Sequence, residues 1–305
     1  MDFCERLNLL WELPPYLRYL TAHDCTSLEK VSFIDQNRDL YELHSFDEDD
    51  FLDDDDGLLM LFSNCFNLNQ DSIDNIEANA MLKIGSLVKK CASEYVLDLP
   101  SLMCSFPGNK ISANKFKFQS MNSSLIFKID PNVCSGSRLL VFAICFVADL
   151  TPSHANIGLK FICEYKLTVA SDGDGGGGCE NFINEWYELD FEADRQYRGD
   201  HVLVLFNRDM VIKDKDYEEA SFEFYIKSRG NSLEVPEVDI KVEKCGVHLI
   251  FNEMSNDEES YADSDVESSE KSDFNEMSND ESDDSFYSAE DSNFEEVDVD
   301  TQKRL

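Results

Sequence analysis

Residues 138–169 have the sequence RLLVFAICFVADLTPSHANIGLKFICEYKLTV, which contains two apolar segments around a turn. In the second segment one face is apolar, formed by Leu159, Phe161, Cys163, Tyr165, Leu167 and Val169. The opposite face carries charged or hydroxyl side chains, with Ile162 as its apolar exception. This period of two predicts a half-buried β-strand. The first segment, residues 139–147, is apolar on both faces, so it predicts a central strand.

The sequence on either side extends this pattern into an antiparallel β domain. Alternating or apolar runs recur near residues 103–111, 125–129, 186–191, 201–206, 221–227 and 238–251. Clusters of proline, glycine and asparagine separate many of these runs and predict turns. Seven to nine short strands in about 150 residues are typical of a β-sandwich. We therefore predict a mainly β protein built around an antiparallel sandwich.

Two other patterns precede this domain. Residues 17–28 fit LxxLxAxxCxxL, the pattern of a leucine-rich repeat, in which a short strand is followed by a tight corner. One repeat cannot bury its own apolar edge, so it must stack on further repeats or on the next domain. Farther along, apolar residues at intervals of three and four predict one amphipathic helix: Ile73, Ile76, Ala80, Ile84, Val88 and Cys91.

The charge of the chain is strongly negative and unevenly distributed. The formal net charge is −37, which argues against nucleic acid or an anionic membrane as a partner. Residues 252–305 contain 20 acidic and three basic residues, so they predict a disordered acidic tail. Four consecutive aspartates at residues 53–56 lack the alternating ligand spacing of a calcium loop, and we predict no metal site there.

These patterns predict five parts along the chain. They are a terminal leucine-rich repeat (1–34), an acidic loop (35–57), a connecting strand and helix (58–99), a jelly-roll or Ig-like sandwich (100–251) and the disordered tail (252–305). The N-terminus lacks the pattern of a signal peptide, and no run approaches the roughly 20 apolar residues of a membrane span. We therefore expect an intracellular protein of the cytoplasm and nucleus, with its ten cysteines reduced.

Several short motifs resemble the C-terminal part of plant TIR-type nucleotide-binding leucine-rich-repeat disease resistance proteins. Residues 13–31 are similar to their last leucine-rich repeat, and residues 62–68 (FSNCFNL) to the motif after it. Five further segments resemble, in order, the post-repeat jelly-roll/Ig-like domain of those receptors, which is called C-JID. They are residues 106–111, 123–125, 199–202, 221–224 and 242–249. Residues 111–116 depart from the family, because the usual proline and tryptophan are absent.

The resemblance implies a recognition module that binds a pathogen effector protein in defense, through the loops of the sandwich. An alternative function is a truncated regulatory or scaffold protein that binds a full-length receptor or a host protein and has a phosphorylatable acidic tail. An enzyme or a sugar-binding jelly roll is a third and weaker hypothesis. The TIR and nucleotide-binding regions have no counterpart in this sequence, so we predict no catalytic residue, no metal and no cofactor.

Two segments are candidates for contact with a protein partner. One is the glycine-rich insert near residues 171–181 with its flanking aromatics, represented by Asp172, Gly175, Phe182 and Trp186. The other is a basic and aromatic patch at residues 112–119, which includes Phe116 and Phe118. The tail adds four phosphorylation candidates, each with an acidic residue three positions later: Ser255, Ser264, Ser278 and Ser288.

Overall fold

The computed structural model describes residues 1–15, 17–34, 57–94, 100–130, 138–153, 158–169, 178–188, 197–229 and 237–253. The chain divides into two units, Met1–Asp257 and Glu258–Leu305, and the described residues all belong to the first. The predicted acidic loop and acidic tail lie almost entirely outside the described residues.

The described residues form fifteen strands, one α-helix and one 3₁₀ turn. The N-terminal elements are β1 (Leu9–Leu13), β2 (Tyr19–Thr21), β3 (Lys30–Phe33), β4 (Leu58–Leu61) and α1 (Gln70–Glu94). The following strands are β5 (Leu102–Pro107), β6 (Phe118–Ser120), β7 (Ser124–Lys128), β8 (Arg138–Asp149), β9 (Gly158–Val169), β10 (Cys179–Glu188) and β11 (Asp200–Phe206). The last elements are the 3₁₀ turn Arg208–Met210, β12 (Val211–Lys213), β13 (Tyr217–Arg229), β14 (Val238–Ile240) and β15 (Val242–Glu253).

The N-terminal part is a short solenoid of three stacked corners. Each corner has a cysteine, Cys4, Cys25 or Cys65, and a leucine three residues later whose amide donates to the cysteine carbonyl at 2.9–3.2 Å. The Cys25 thiol donates to the Met1 carbonyl at 3.0 Å, and the Cys65 thiol to the Ala22 carbonyl at 2.7 Å. These bonds join successive corners, since each buried thiol satisfies a carbonyl of the corner before it.

The corner at Cys65 extends the solenoid beyond the single repeat that the sequence predicted. Strand β4 pairs in parallel with β2, with Tyr19 opposite Leu59, so residues 58–68 form a further rung. Cys4 and Cys25 are 21 positions apart, whereas Cys25 and Cys65 are 40 apart. The longer interval hides the repeat, because leucine-rich repeats normally recur every 20–29 residues.

Helix α1 takes the place of the next strand on the back of the solenoid. Strands β1 and β3 follow the first two corners and pair with each other in parallel. After the third corner the chain forms α1 instead, and Asn69 caps it by accepting the Ser72 amide at 2.9 Å. The Asn69 amide donates to the Glu29 carbonyl at 3.0 Å, which ties the start of the helix to the corner before it.

Two sheets form the sandwich, and one of them continues the solenoid. The eight-stranded sheet has the order β2-β4-β5-β11-β8-β15-β6, with β12 also paired to β8. The five-stranded sheet has the order β10-β9-β13-β14, with β7 also paired to β13. Parallel pairing of β4 with β5 joins the solenoid to the sandwich, and antiparallel pairing prevails thereafter. The predicted mainly β fold with antiparallel sheets is confirmed.

The two strands that defined the sequence pattern occupy the expected places. Strand β8 lies between β11 and β15, and residues 140–148 are all buried. Its Phe142 contacts Tyr165 and Phe222 of the facing sheet, with ring centroids 5.7 and 5.3 Å apart. Helix α1 contacts β5, β8, β11 and β15. Strand β8 is apolar on both faces because one face meets the second sheet and the other meets this helix.

Candidate functional site

The outer face of the eight-stranded sheet is covered by α1. The helix buries Ile76, Ile84 and Leu87 completely. Lys83 is buried on the same helix, where its Nζ donates to the Leu17 carbonyl and lies 3.4 Å from Met60 Sδ. Burial lowers the pKa of Lys83 to about 8. These contacts hold the helix against the solenoid, and the helix also packs on β5, β8, β11 and β15 of the sheet.

The outer face of the five-stranded sheet is exposed. We call it the open face, and define it by the outward residues of four strands: Ile126 on β7; Lys160, Ile162, Glu164 and Lys166 on β9; Ile183, Glu185 and Tyr187 on β10; Glu223, Tyr225 and Lys227 on β13. Residues that pair across antiparallel strands share a face, which fixes this set. Its exposed apolar or aromatic members include Ile183 at 62% and Tyr187 at 46%.

Cross-strand pairing places an aromatic patch near one end of the open face. Tyr225 lies opposite Ile162, and Ile162 lies opposite Glu185. In the next row Lys160 lies opposite Tyr187. Neighbouring side chains of the open face shield Ile162, which is only 8% exposed. This burial explains why the outward face of β9 includes one apolar residue. Ile162 thus forms an apolar base, and Tyr187 and Tyr225 lie beside it.

One ion pair orders the edge of this patch. Lys160 Nζ lies 2.8 Å from Glu185 Oε2 and 5.3 Å from the ring centroid of Tyr187. The hydrogen bond between them raises the pKa of Lys160 and lowers the pKa of Glu185. The Tyr187 hydroxyl also donates to Glu185. Tyr187 is thereby held with one side of its ring near an ammonium group, an arrangement that fixes an exposed aromatic side chain.

The basic and aromatic patch predicted at residues 112–119 is exposed at some positions, including Lys117, but its two phenylalanines are buried or half-buried. Phe116 is fully buried, and its ring lies 6.5 Å from that of His248. A Cβ added to Gly246 would lie 3.2 Å from Phe116 Cβ, so the glycine makes room for this packing. Lys115 forms an ion pair with Glu77 of α1 at 3.0 Å. Phe116 therefore packs inward, and Lys115 fastens the segment to the helix. A role of this patch in contact with a partner stays a prediction.

The other predicted aromatic contacts also point inward or are partly buried. Phe118 stacks on Phe127 with centroids 3.8 Å apart, and Phe182 stacks on Tyr165 at 4.8 Å. Trp186 is 3% exposed, and its Nε1 donates to the Phe206 carbonyl at 3.2 Å. All six predicted partner-contact positions are therefore buried, half-buried or outside the described residues.

Some predicted site residues are not described by the structure. Asp172 and Gly175 lie outside the described residues, as do Ser255, Ser264, Ser278 and Ser288. Their roles remain predictions. The tyrosine that sequence reasoning missed is Tyr187, and alternation along β10 carried the signal. Because successive side chains of a strand point to opposite faces, an inward Trp186 requires an outward Tyr187.

A buried polar joint connects the solenoid to the sandwich. The Asn64 amide at the third corner donates to His201 Nε2 on β11 at 3.0 Å, and His201 Nδ1 lies 3.2 Å from the Gly199 carbonyl. The Arg198 amide donates to Asn64 Oδ1 at 2.9 Å. Burial lowers the pKa of His201 to about 4, so the ring is neutral at physiological pH. This histidine is used as a structural link.

Burial governs the protonation of two thiols in the described residues. Burial raises the pKa of Cys65 to about 12 and that of Cys91 to about 11, which keeps both thiols protonated. No group of three His, Cys, Asp or Glu in the described ranges could hold a metal ion. Among these residues, no helix combines the length and apolar character needed to cross a membrane.

Comparison with known proteins identifies relatives over most of the chain, although no protein-family model matches it. The disease resistance protein RPS4B of Arabidopsis thaliana is 26% identical over 267 residues, which cover 84% of this chain and 21% of that protein. RPP2B is 28% identical (84% and 21%), and LAZ5 is 31% identical (83% and 20%), both from the same plant. The chain spans about a fifth of the length of these relatives.

The position of the match agrees with the motifs in the sequence. It falls in the C-terminal part of the relatives and not in their TIR domain. The chain is therefore homologous to the C-terminal part of TIR-type plant disease resistance proteins, the family that its sequence resembles.

Proposed function

We propose that this chain is a non-catalytic recognition module that binds a pathogen effector protein inside the plant cell, in the cytoplasm and nucleus. Homology to disease resistance proteins supports a role in plant defense. The observation that carries the binding role is the open face, on which Ile183 is 62% and Tyr187 46% exposed. Exposed apolar groups that cluster on one face mark protein-binding surfaces.

The composition of the open face suits recognition of a protein. Tyrosine is enriched at protein interfaces, because its ring buries a large area at little cost in conformational entropy and its hydroxyl can bond at the rim. Tyr187 and Tyr225 are both already held by hydrogen bonds, to Glu185 and Glu223 respectively. Preorganised side chains lose less freedom on binding, which favours affinity.

A catalytic role has less support than a binding role. The homology lies outside the TIR domain of the relatives. The buried histidine His201 donates to and accepts from backbone groups, and is 0% exposed. We therefore propose no cofactor, and we assign the chemistry of the protein to surface complementarity alone.

Binding of purified effectors to the full chain tests this function. A panel of effector proteins from pathogens of the host plant is passed over the immobilised chain, and affinity is measured by surface plasmon resonance. Changing Tyr187 and Tyr225 together to Ala should weaken binding of a recognised effector by at least about thirtyfold, the size of an interface hot spot. Met121→Ala is the matched control, because Met121 is 72% exposed but lies outside the open face.

Two results would reject the proposal. One is that no effector binds the folded wild-type chain. The other is that an effector binds the double variant as tightly as the wild type, which would locate recognition elsewhere.

A further inference from the structure

Two carboxylates face each other at the centre of the open face. Glu164 on β9 lies directly opposite Glu223 on β13, and both are exposed. Like charges opposite each other on adjacent strands destabilise a sheet. Within the described residues neither carboxylate forms an ion pair, in contrast to Glu185, which is neutralised by Lys160. The fold therefore carries an unfavourable charge pair at this position.

Apolar side chains border this pair on the same surface. Ile183 lies opposite Glu164 on the other side of β9, and is 62% exposed. Tyr225 is two residues from Glu223 on β13, and its hydroxyl donates to that carboxylate. This hydrogen bond raises the pKa of Tyr225 to about 12. The centre of the open face thus combines two carboxylates with exposed apolar area, while Lys160, Lys166 and Lys227 lie around them on the same face.

The net charge of the whole molecule is also negative. The formal net charge of −37 produces a negative field that attracts basic proteins and repels acidic ones. Pairing of two copies is unfavourable, since it would bring together two molecules of this net charge. An acidic partner would meet the same repulsion.

We propose that the open face docks a basic protein surface, which inserts an arginine or lysine between Glu164 and Glu223 and places apolar side chains on Ile183 and Tyr225. This inference rests on the proposed function and names the chemical class of the partner. Arginine fits best, because its planar guanidinium can bond two carboxylates at once. Binding then neutralises two carboxylates that form no ion pair with the described residues of the free protein.

The first experiment measures the free protein. Replacing Glu164 or Glu223 with Gln removes one charge and should raise the melting temperature by about 1–3 °C. Glu5→Gln is the matched control, because Glu5 is exposed on the solenoid and should leave the melting temperature unchanged. A fall in melting temperature for both open-face variants would show that the carboxylates stabilise the fold, and would overturn the inference.

The second experiment measures binding with a defined probe. The full chain, labelled at its isoleucine methyl groups, is titrated in about 0.15 M salt with a twelve-residue peptide that has one central arginine flanked by leucine and phenylalanine. The Ile183 and Ile162 signals should shift. A peptide with glutamate in place of the arginine should leave them unchanged, and the double variant Glu164→Gln, Glu223→Gln should bind the arginine peptide at least about tenfold more weakly.

The inference fails if the arginine peptide leaves both isoleucines unshifted. It also fails if the glutamate peptide or the double variant gives the same response. Such a failure is distinct from failure of the proposed function, since an effector whose binding requires Tyr187 and Tyr225 but not Glu164 and Glu223 would keep the recognition role and reject a basic partner.

Discussion

The outer faces of the two sandwich sheets are built from the same kind of strand but differ in what lies on them. On the eight-stranded sheet α1 buries Ile84 completely, and the segment that carries Phe116 fastens the helix in place. On the five-stranded sheet Ile183 and Tyr187 remain exposed. Packing therefore explains an apolar residue on the covered face. Apolar residues that cluster on the open face instead indicate a surface that binds a partner.

The solenoid accounts for this asymmetry. Helix α1 follows the third corner, at Cys65, in the position that strands β1 and β3 take after the first two. Helix α1 therefore lies on the same side of the eight-stranded sheet as the interior of the solenoid. The five-stranded sheet packs against the opposite side. One face of the sandwich is covered as a consequence of the solenoid, and the other is left available for binding.

The largest expected difference between the two faces is in stability. Phe116→Ala removes a fully buried ring and should lower the free energy of unfolding by about 3–5 kcal/mol. Tyr187→Ala removes a ring that is 46% exposed on the open face, and should change it by less than about 0.5 kcal/mol. Urea unfolding of both variants measures the difference. Equal losses would show that the open face is also part of the core.

A smaller effect should appear as the pH falls. His201 has a pKa of about 4 in the folded chain and about 6.5 in the unfolded chain, so the unfolded chain binds more protons between these values. The contribution of His201 is complete above pH 6.5 and declines as the pH falls to about 4. The loss should total roughly 3 kcal/mol.

Urea unfolding at several pH values measures this decline. His201→Gln, which cannot titrate, is the control and should show a shallower dependence on pH in this range. If the free energy of unfolding of His201→Gln fell with decreasing pH as steeply as that of the wild type, protonation of His201 would not account for the loss of stability in acid.

The smallest effect is expected for the ion pair at the edge of the open face. Glu185→Gln removes the partner of Lys160, and because the pair is largely solvated the free energy of unfolding should change by less than about 1 kcal/mol. Thermal unfolding in low and high salt measures this change, and the difference from wild type should shrink in high salt. A larger loss that persists in high salt would show that the pair holds the sheet together.

The sequence predicted the strands well, because their periodicity reports burial directly. The alternation in residues 159–169 and the two-sided apolar run of residues 139–147 both correspond to the observed strands β9 and β8. The solenoid rung at residues 58–68, which contains the third corner, was not predicted. The 40 positions between Cys25 and Cys65 exceed the normal spacing of the repeats. Stacking of corners is a contact between distant residues, which local patterns do not show.

The candidate site was harder to predict, for a physical reason. The sequence predicts a partner contact at Trp186, which flanks the glycine-rich insert, and at Phe116, which belongs to the basic and aromatic patch, yet both are buried. Whether a strand residue faces a helix, a second sheet or solvent depends on how the elements pack. Tyr187 could be placed outward only after Trp186 was known to point inward.

Hydroxyl-radical footprinting of the full chain, free and bound to an effector that it recognises, shows whether the open face is the binding surface. Side-chain oxidation is measured residue by residue by mass spectrometry. We expect oxidation of Tyr187 and Tyr225 to be fast in the free chain and to fall severalfold in the complex, while Phe116 stays protected in both states. Unchanged oxidation of both tyrosines in the complex, with new protection elsewhere, would contradict the assignment of the open face as the binding surface.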